Sequence, residues 1–200
     1  MNAARLLIVF AVAGTTSTAH AHVLTDTIGG FWGGALHPLI VPAQTLCLIA
    51  LALLMARHGV RARPMLVLAF AAGCVTGIVL VTRAFAFAQS DGAVLACAAA
   101  TGALIALGRP LPPVVAAAIM AAAGFSVTID SVPAIVSERD TLLSLGGTLS
   151  SGLALVLVVG TALGAALDAV RNRWLPVAVR IAGSWLAASA ILTLALRLIR

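Results

Sequence analysis

His37 and Gln44 stand in the run His37-Pro38-Leu39-Ile40-Val41-Pro42-Ala43-Gln44. A separation of seven puts an imidazole and an amide on one face of a helix. Pro42 lies inside the same apolar stretch, where its ring opposes the carbonyl of Pro38, so the first turn is predicted to be kinked or late-starting. Polar side chains beside a bent backbone are one way for a membrane helix to line a cavity. Neutral imidazole ligates divalent metals and an amide offers a carbonyl oxygen, which makes His37 and Gln44 candidate metal ligands. The alternative is an interfacial His capping the helix and a Gln packed between helices.

Three further groups carry chemistry. His22 and Asp26 form the second candidate metal pair, because a free N-terminal His offers an amine and an imidazole to one ion. Asp26, Asp91, Asp130 and Asp140 either gather cations at a mouth or are solvated loop acids. Cys47, Cys74 and Cys97 fall in the first, second and third apolar segments, where no disulfide framework is indicated. They either converge on a soft ion such as cuprous copper or serve as small apolar fillers. Arg180 lies within the apolar run Val177-Ala178-Val179-Arg180-Ile181, and an intramembrane charge is a functional candidate. Asp168 is its expected partner.

Enzyme chemistry finds little support. No His lies beyond residue 58, so a Ser/His nucleophile and base cannot be assembled in the later segments. Neither H-E-x-x-H nor a P-loop occurs. His37 and His58 flank opposite ends of one segment, which does not suit bis-His haem. The chain reads as a non-enzyme without a resident cofactor, a transported divalent metal ion being the one inorganic component implied.

The elements that must position these residues follow from composition. Of 200 residues, 62% are apolar and 9% charged, with a mean hydropathy of +1.15. A soluble domain carries ~25% charged residues, and disorder needs low hydrophobicity, so the chain is expected to be a membrane protein. All twelve basic residues are Arg and the net charge is +6. No basic stripe with interleaved aromatics suggests nucleic acid, so the Arg are read as topology. The expected partners are the lipid bilayer, the metal ion and a second copy or another membrane subunit.

Residues 1–21 read as a cleavable signal peptide: Arg5, a short apolar core over Leu6–Ala13, and Ala19-His20-Ala21 as an A-x-A site. An uncleaved anchor is the alternative. Residues 22–200 then form an all-α polytopic bundle of six transmembrane helices near 36–56, 64–82, 92–107, 112–128, 141–167 and 175–196. A Gly-rich exposed lead-in (Gly29, Gly30, Gly33, Gly34) precedes them. The third and fourth segments are short against the ~20 residues a span needs. Ser137 with Glu138 and Asp140 reads as an N-cap. Gly73-x-x-x-Gly77 and Gly160-x-x-x-Gly164 allow close backbone approach. Arg57, Arg61, Arg63, Arg109, Arg171 and Arg173 fall in one set of loops, and five of the six acids in the other. The positive-inside rule then puts the mature N-terminus on the periplasmic side of a bacterial inner membrane. Arg197 and Arg200 run against this bias.

Taken together, these features resemble the HupE/UreJ family, small bacterial membrane proteins associated with nickel or cobalt uptake. The resemblance rests on a leader ending before a His, the Gly-rich lead-in, His37-Pro38 at the first span, six spans, and Asp130-Ser131-x-Pro133 before the fifth. It implies divalent-metal permease activity. The family's first-helix pattern is similar to H-P-x-x-G-x-D-H, and here His37 and Pro38 match. Val41 stands in place of the Gly, Ala43 in place of the Asp and Gln44 in place of the second His. A later His/Glu-bearing segment has no counterpart. A non-transporting accessory or assembly protein, and a copper transporter using the three Cys, are the alternative functions.

Overall fold

Long apolar runs interrupted by Pro, Gly and Arg fold as helices. The computed structural model describes residues 29–83, 91–132, 137–169 and 174–198. The expected signal peptide, His22 and Asp26 lie outside these. Among the described residues the elements are α1 (Gly30–Ile40), α2 (Pro42–Ala56), α3 (Arg63–Thr82), α4 (Asp91–Leu107), α5 (Pro113–Asp130), α6 (Glu138–Ala169) and α7 (Trp174–Leu198), with no strand.

The apolar character of α2 on every side decides its place. Leu48, Ala50, Leu51, Leu54, Met55 and their neighbours are buried, as a helix hydrophobic all round must be. The others pack about it in pairs: α3 with α5, α4 with α7, and α6 along both α1 and α2. Small residues set those pairings. A Cβ on Gly73 would collide with the main-chain oxygen of Ala121, and one on Gly124 with that of Phe70, so α3 and α5 meet backbone to backbone. The expected role of Gly160 and Gly164 differs in kind. Gly160 receives the Met55 side chain, and Gly164 makes room for the Arg63 guanidinium, whose Cζ would lie 2.5 Å from an added Cβ.

The first expected segment, 36–56, is two helices. α1 starts at Gly30, and α1 and α2 are bent by 74° at Val41. The Gly-rich lead-in is therefore helical rather than an exposed tether, with Gly33 and Gly34 buried. The lack of a side chain at Gly34 admits the main chain of Ser144 from α6, and Gly147 admits that of Phe31. Each of two prolines orphans a carbonyl one turn back. Pro38 orphans Gly34 O, which accepts from Thr148 Oγ1 of α6 at 3.1 Å. Pro42 orphans Pro38 O, which accepts from Thr45 Oγ1 at 3.0 Å. Both proline-orphaned carbonyls thus find hydroxyl donors.

Among the described residues, four helices are long and apolar enough to cross a membrane: α3, α5, α6 and α7. The bent α1–α2 pair makes a fifth candidate. The 17 residues of α4 span ~26 Å, against a ~30 Å hydrocarbon core. Both its ends are tied to neighbours: Asp91 pairs with Arg197 of α7, and its C-terminal carbonyls accept from Arg57 and Arg180. α6 starts at Glu138, three residues before the expected segment. Asp140 N donates to Ser137 Oγ at 3.2 Å, the expected N-cap.

Candidate functional site

The break between α1 and α2 positions the first candidate pair. His37 is in the last turn of α1 and Gln44 in the first turn of α2, so they do not share one straight helical face. They meet because the bend folds one helix back toward the other. His37 Nδ1 lies 3.3 Å from Gln44 Oε1. An amide oxygen only accepts, so the ring donates from Nδ1, and a neutral imidazole then holds its lone pair on Nε2.

Gln44 is fully buried and both ends of its amide are engaged. Nε2 donates to Asp130 Oδ2 at 2.7 Å and to Ser131 Oγ at 3.0 Å. Ser131 Oγ in turn donates to Val127 O at 2.7 Å. Asp130 and Ser131 close α5, so three helices meet at one polar cluster. Asp130 is half-buried, within electrostatic reach of His37, Asp91 and Arg197. Its hydrogen bond to Gln44 sets the carboxylate by the first turn of α2, where the helix dipole favours a negative group.

Asp130 had been expected as a loop acid, and its place against Gln44 is new. The signal available was the Asp130-Ser131 pair at the end of an apolar run, opposite in topology to the start of the first span. Asp91 is likewise not a lone solvated acid, since it pairs with Arg197. That pairing gives Arg197, the residue at odds with the charge bias, a local counter-charge.

The three cysteines lie within electrostatic reach of one another about Cys47. Cys47 and Cys74 are buried and Cys97 is half-buried. Cys74 Sγ donates to Gly124 O at 3.4 Å, and Cys97 Sγ lies 4.0 Å from Ser126 Oγ. Among the described residues no group of three His, Cys, Asp or Glu side chains is placed to hold a metal ion.

Asp168 and Arg180 are not partners. Asp168 Oδ2 accepts from Arg63 NH2 at 2.8 Å, and Arg63 Nε also donates to His58 O at 2.9 Å. The cause lies one turn before Asp168, where Gly164 leaves the space that the Arg63 guanidinium fills. Arg180 instead donates from Nε to Ala106 O at 3.1 Å, at the C-terminus of α4. Arg180 is exposed and lies in the second turn of α7, within that candidate span.

Comparison with known families gives a match over residues 10–193, to the family described as HupE / UreJ protein. The chain belongs to the HupE/UreJ family. Neither the curated proteins nor the solved structures give a match. HupE/UreJ proteins are membrane proteins related in general to nickel and cobalt transport, and the apolar helices described above fit a multi-pass member. Within the HupE/UreJ frame, the cluster at the α1–α2 break coincides with the His37-Pro38 segment on which the resemblance rested.

Proposed function

We propose that this HupE/UreJ protein admits a divalent metal ion of the nickel or cobalt class, with six membrane crossings and the His37 end facing outward. The observation that carries the reading is the bridge His37–Gln44–Asp130, which puts an imidazole and a carboxylate on either side of one amide. Imidazole nitrogen and carboxylate oxygen are suitable donors for these ions. The carboxylate missing at Ala43 is supplied from α5 by Asp130. Gln44 orients both donors.

A donor set of one imidazole and one carboxylate binds weakly. That suits an ion that must leave again, and passage rather than turnover is the activity it supports. The lack of a three-residue metal group among the described residues favours a second reading, an accessory protein that does not carry metal.

One measurement separates the two. Cells expressing the intact chain, His37→Ala or Asp130→Asn would be compared for nickel and cobalt accumulation at limiting metal. The permease reading expects each variant to lose accumulation about tenfold, the scale of one lost charge-assisted contact. Equal accumulation in all three, at equal membrane levels of protein, would instead favour the accessory reading.

A further inference from the structure

At the end of the bundle away from His37, a cavity of about 290 Å³ is bordered by Arg57, His58, Gly108, Asp168 and Arg180. A second of about 150 Å³ shares Arg57 and His58 and adds Arg109. Neither belongs to the His37 cluster, and the proposed metal path does not use their arginines.

The charge there is unbalanced. Among the described residues, Arg57 and Arg180 border the first cavity with one acid, Asp168, which Arg63 already engages, and Arg109 joins Arg57 at the second. Two of the guanidiniums are held by main chain rather than by carboxylates. Arg57 donates from NH1 to Leu104 O and Ile105 O and from NH2 to Arg109 O. Arg180 donates from Nε to Ala106 O, so its two terminal amino groups have no protein acceptor among the described residues. Gly108, at φ 71, is the close floor of this arrangement: an added Cβ would sit 2.7 Å from Arg180 Nε. Burial, and then the nearby Arg180, pull the Arg57 pKa below its usual value, as expected of like charges held together. Guanidinium stays protonated even so, and the open fork of Arg180 beside the carbonyl-held charge of Arg57 at the edge of a cavity suits the oxygens of a phosphate.

We infer that the Arg57–Arg180 cavity binds a phosphate-bearing anion, either a phospholipid headgroup or a soluble phosphate ester. Basic pockets between membrane helices recognise anionic headgroups by this chemistry. Anion occupancy would offset the repulsion between Arg57 and Arg180 and steady the C-terminus of the short helix α4. The inference is independent of metal passage.

The full chain would be placed in nanodiscs of phosphatidylcholine with and without phosphatidylglycerol. Retained lipid would be counted by native mass spectrometry, and inorganic phosphate titrated as competitor. Arg57→Gln and Arg180→Gln keep an amide donor for the carbonyls, and size-exclusion profiles verify folding. Arg61→Gln removes an exposed charge of the same loop outside the cavity. Binding should fall about tenfold in the first two variants and stay unchanged in the third. Arg180→Lys, which keeps charge but loses the fork, should lose part of it. Phosphatidylglycerol retention insensitive to phosphate identifies a headgroup, and displacement by phosphate identifies a soluble ester. Equal binding by intact chain, Arg57→Gln and Arg180→Gln, or full binding by Arg180→Lys, overturns the proposal.

Discussion

At Gln44, an amide with one accepting and one donating end joins an imidazole on α1 to a carboxylate on α5. The sequence made His37 and Gln44 legible as a pair because both lie in one eight-residue run. It could not show Asp130 beside them, since no local pattern links residues 86 positions apart. The same limit applies to Asp168. Arg180 is closer in sequence, but the space at Gly164 goes to Arg63. Thr101 presents the opposite case, a hydroxyl that is fully buried and has no hydrogen-bond partner among the described residues. A buried donor without an acceptor costs desolvation with no return. Thr101→Val, nearly the same shape, should leave thermal stability in detergent unchanged or raise it by about 1 kcal/mol. A clear loss of stability would mean that the hydroxyl makes a bond in the folded protein.

Among the elements, the α1–α2 bend was legible in kind and not in extent. Pro42 announced a disturbed turn, but no local pattern tells a kink from a 74° break, because the angle depends on what lies across from it. The answer is α6, whose Thr148 and Gly147 receive α1. Thr45→Val and Thr148→Val should each lower stability by about 1 kcal/mol, since each strips the donor from a carbonyl that a proline has orphaned. Thr45→Ser keeps the hydroxyl and should restore most of the loss, which thermal unfolding in detergent would read. The shortness of α4 is answered at its ends, where Arg57 and Arg180 reach the last carbonyls that any helix leaves open. Those two residues had looked like topology and intramembrane charge. Their capping role needs tertiary neighbours to be seen.

For the whole molecule, membrane character and helical class were plain from composition, because a chain with 9% charged residues cannot wet a soluble surface. The two ends of the bundle differ in charge bias, although Arg83, Arg139 and Arg197 share the His37 end and Asp168 the other. Asp91, Asp130, Glu138 and Asp140 lie at the end with His37, and Arg57, Arg61, Arg63 and Arg109 at the other. The number of crossings is harder, since length and hydropathy alone admit the bent pair and leave out α4. With the native cysteines replaced by Ala, Glu138→Cys should react with an impermeant maleimide added outside, and Arg61→Cys only after permeabilisation. Reaction of both from one side would remove a crossing from the count.

The two hydroxyl bonds at the α1–α2 elbow have a mechanical consequence. A helix ladder resists pivoting because several main-chain bonds must break together, whereas the elbow is pinned by Thr45 from within and by Thr148 from α6. Thr45 can pass its one proton among the carbonyls of Pro38, Leu39 and Val41, at 3.0, 3.2 and 3.1 Å, so its pin can shift without breaking. His37 rides on the lever and Gln44 on the buried shaft, so a swing of α1 would open or shut the gap between imidazole and amide while α2 kept its seat.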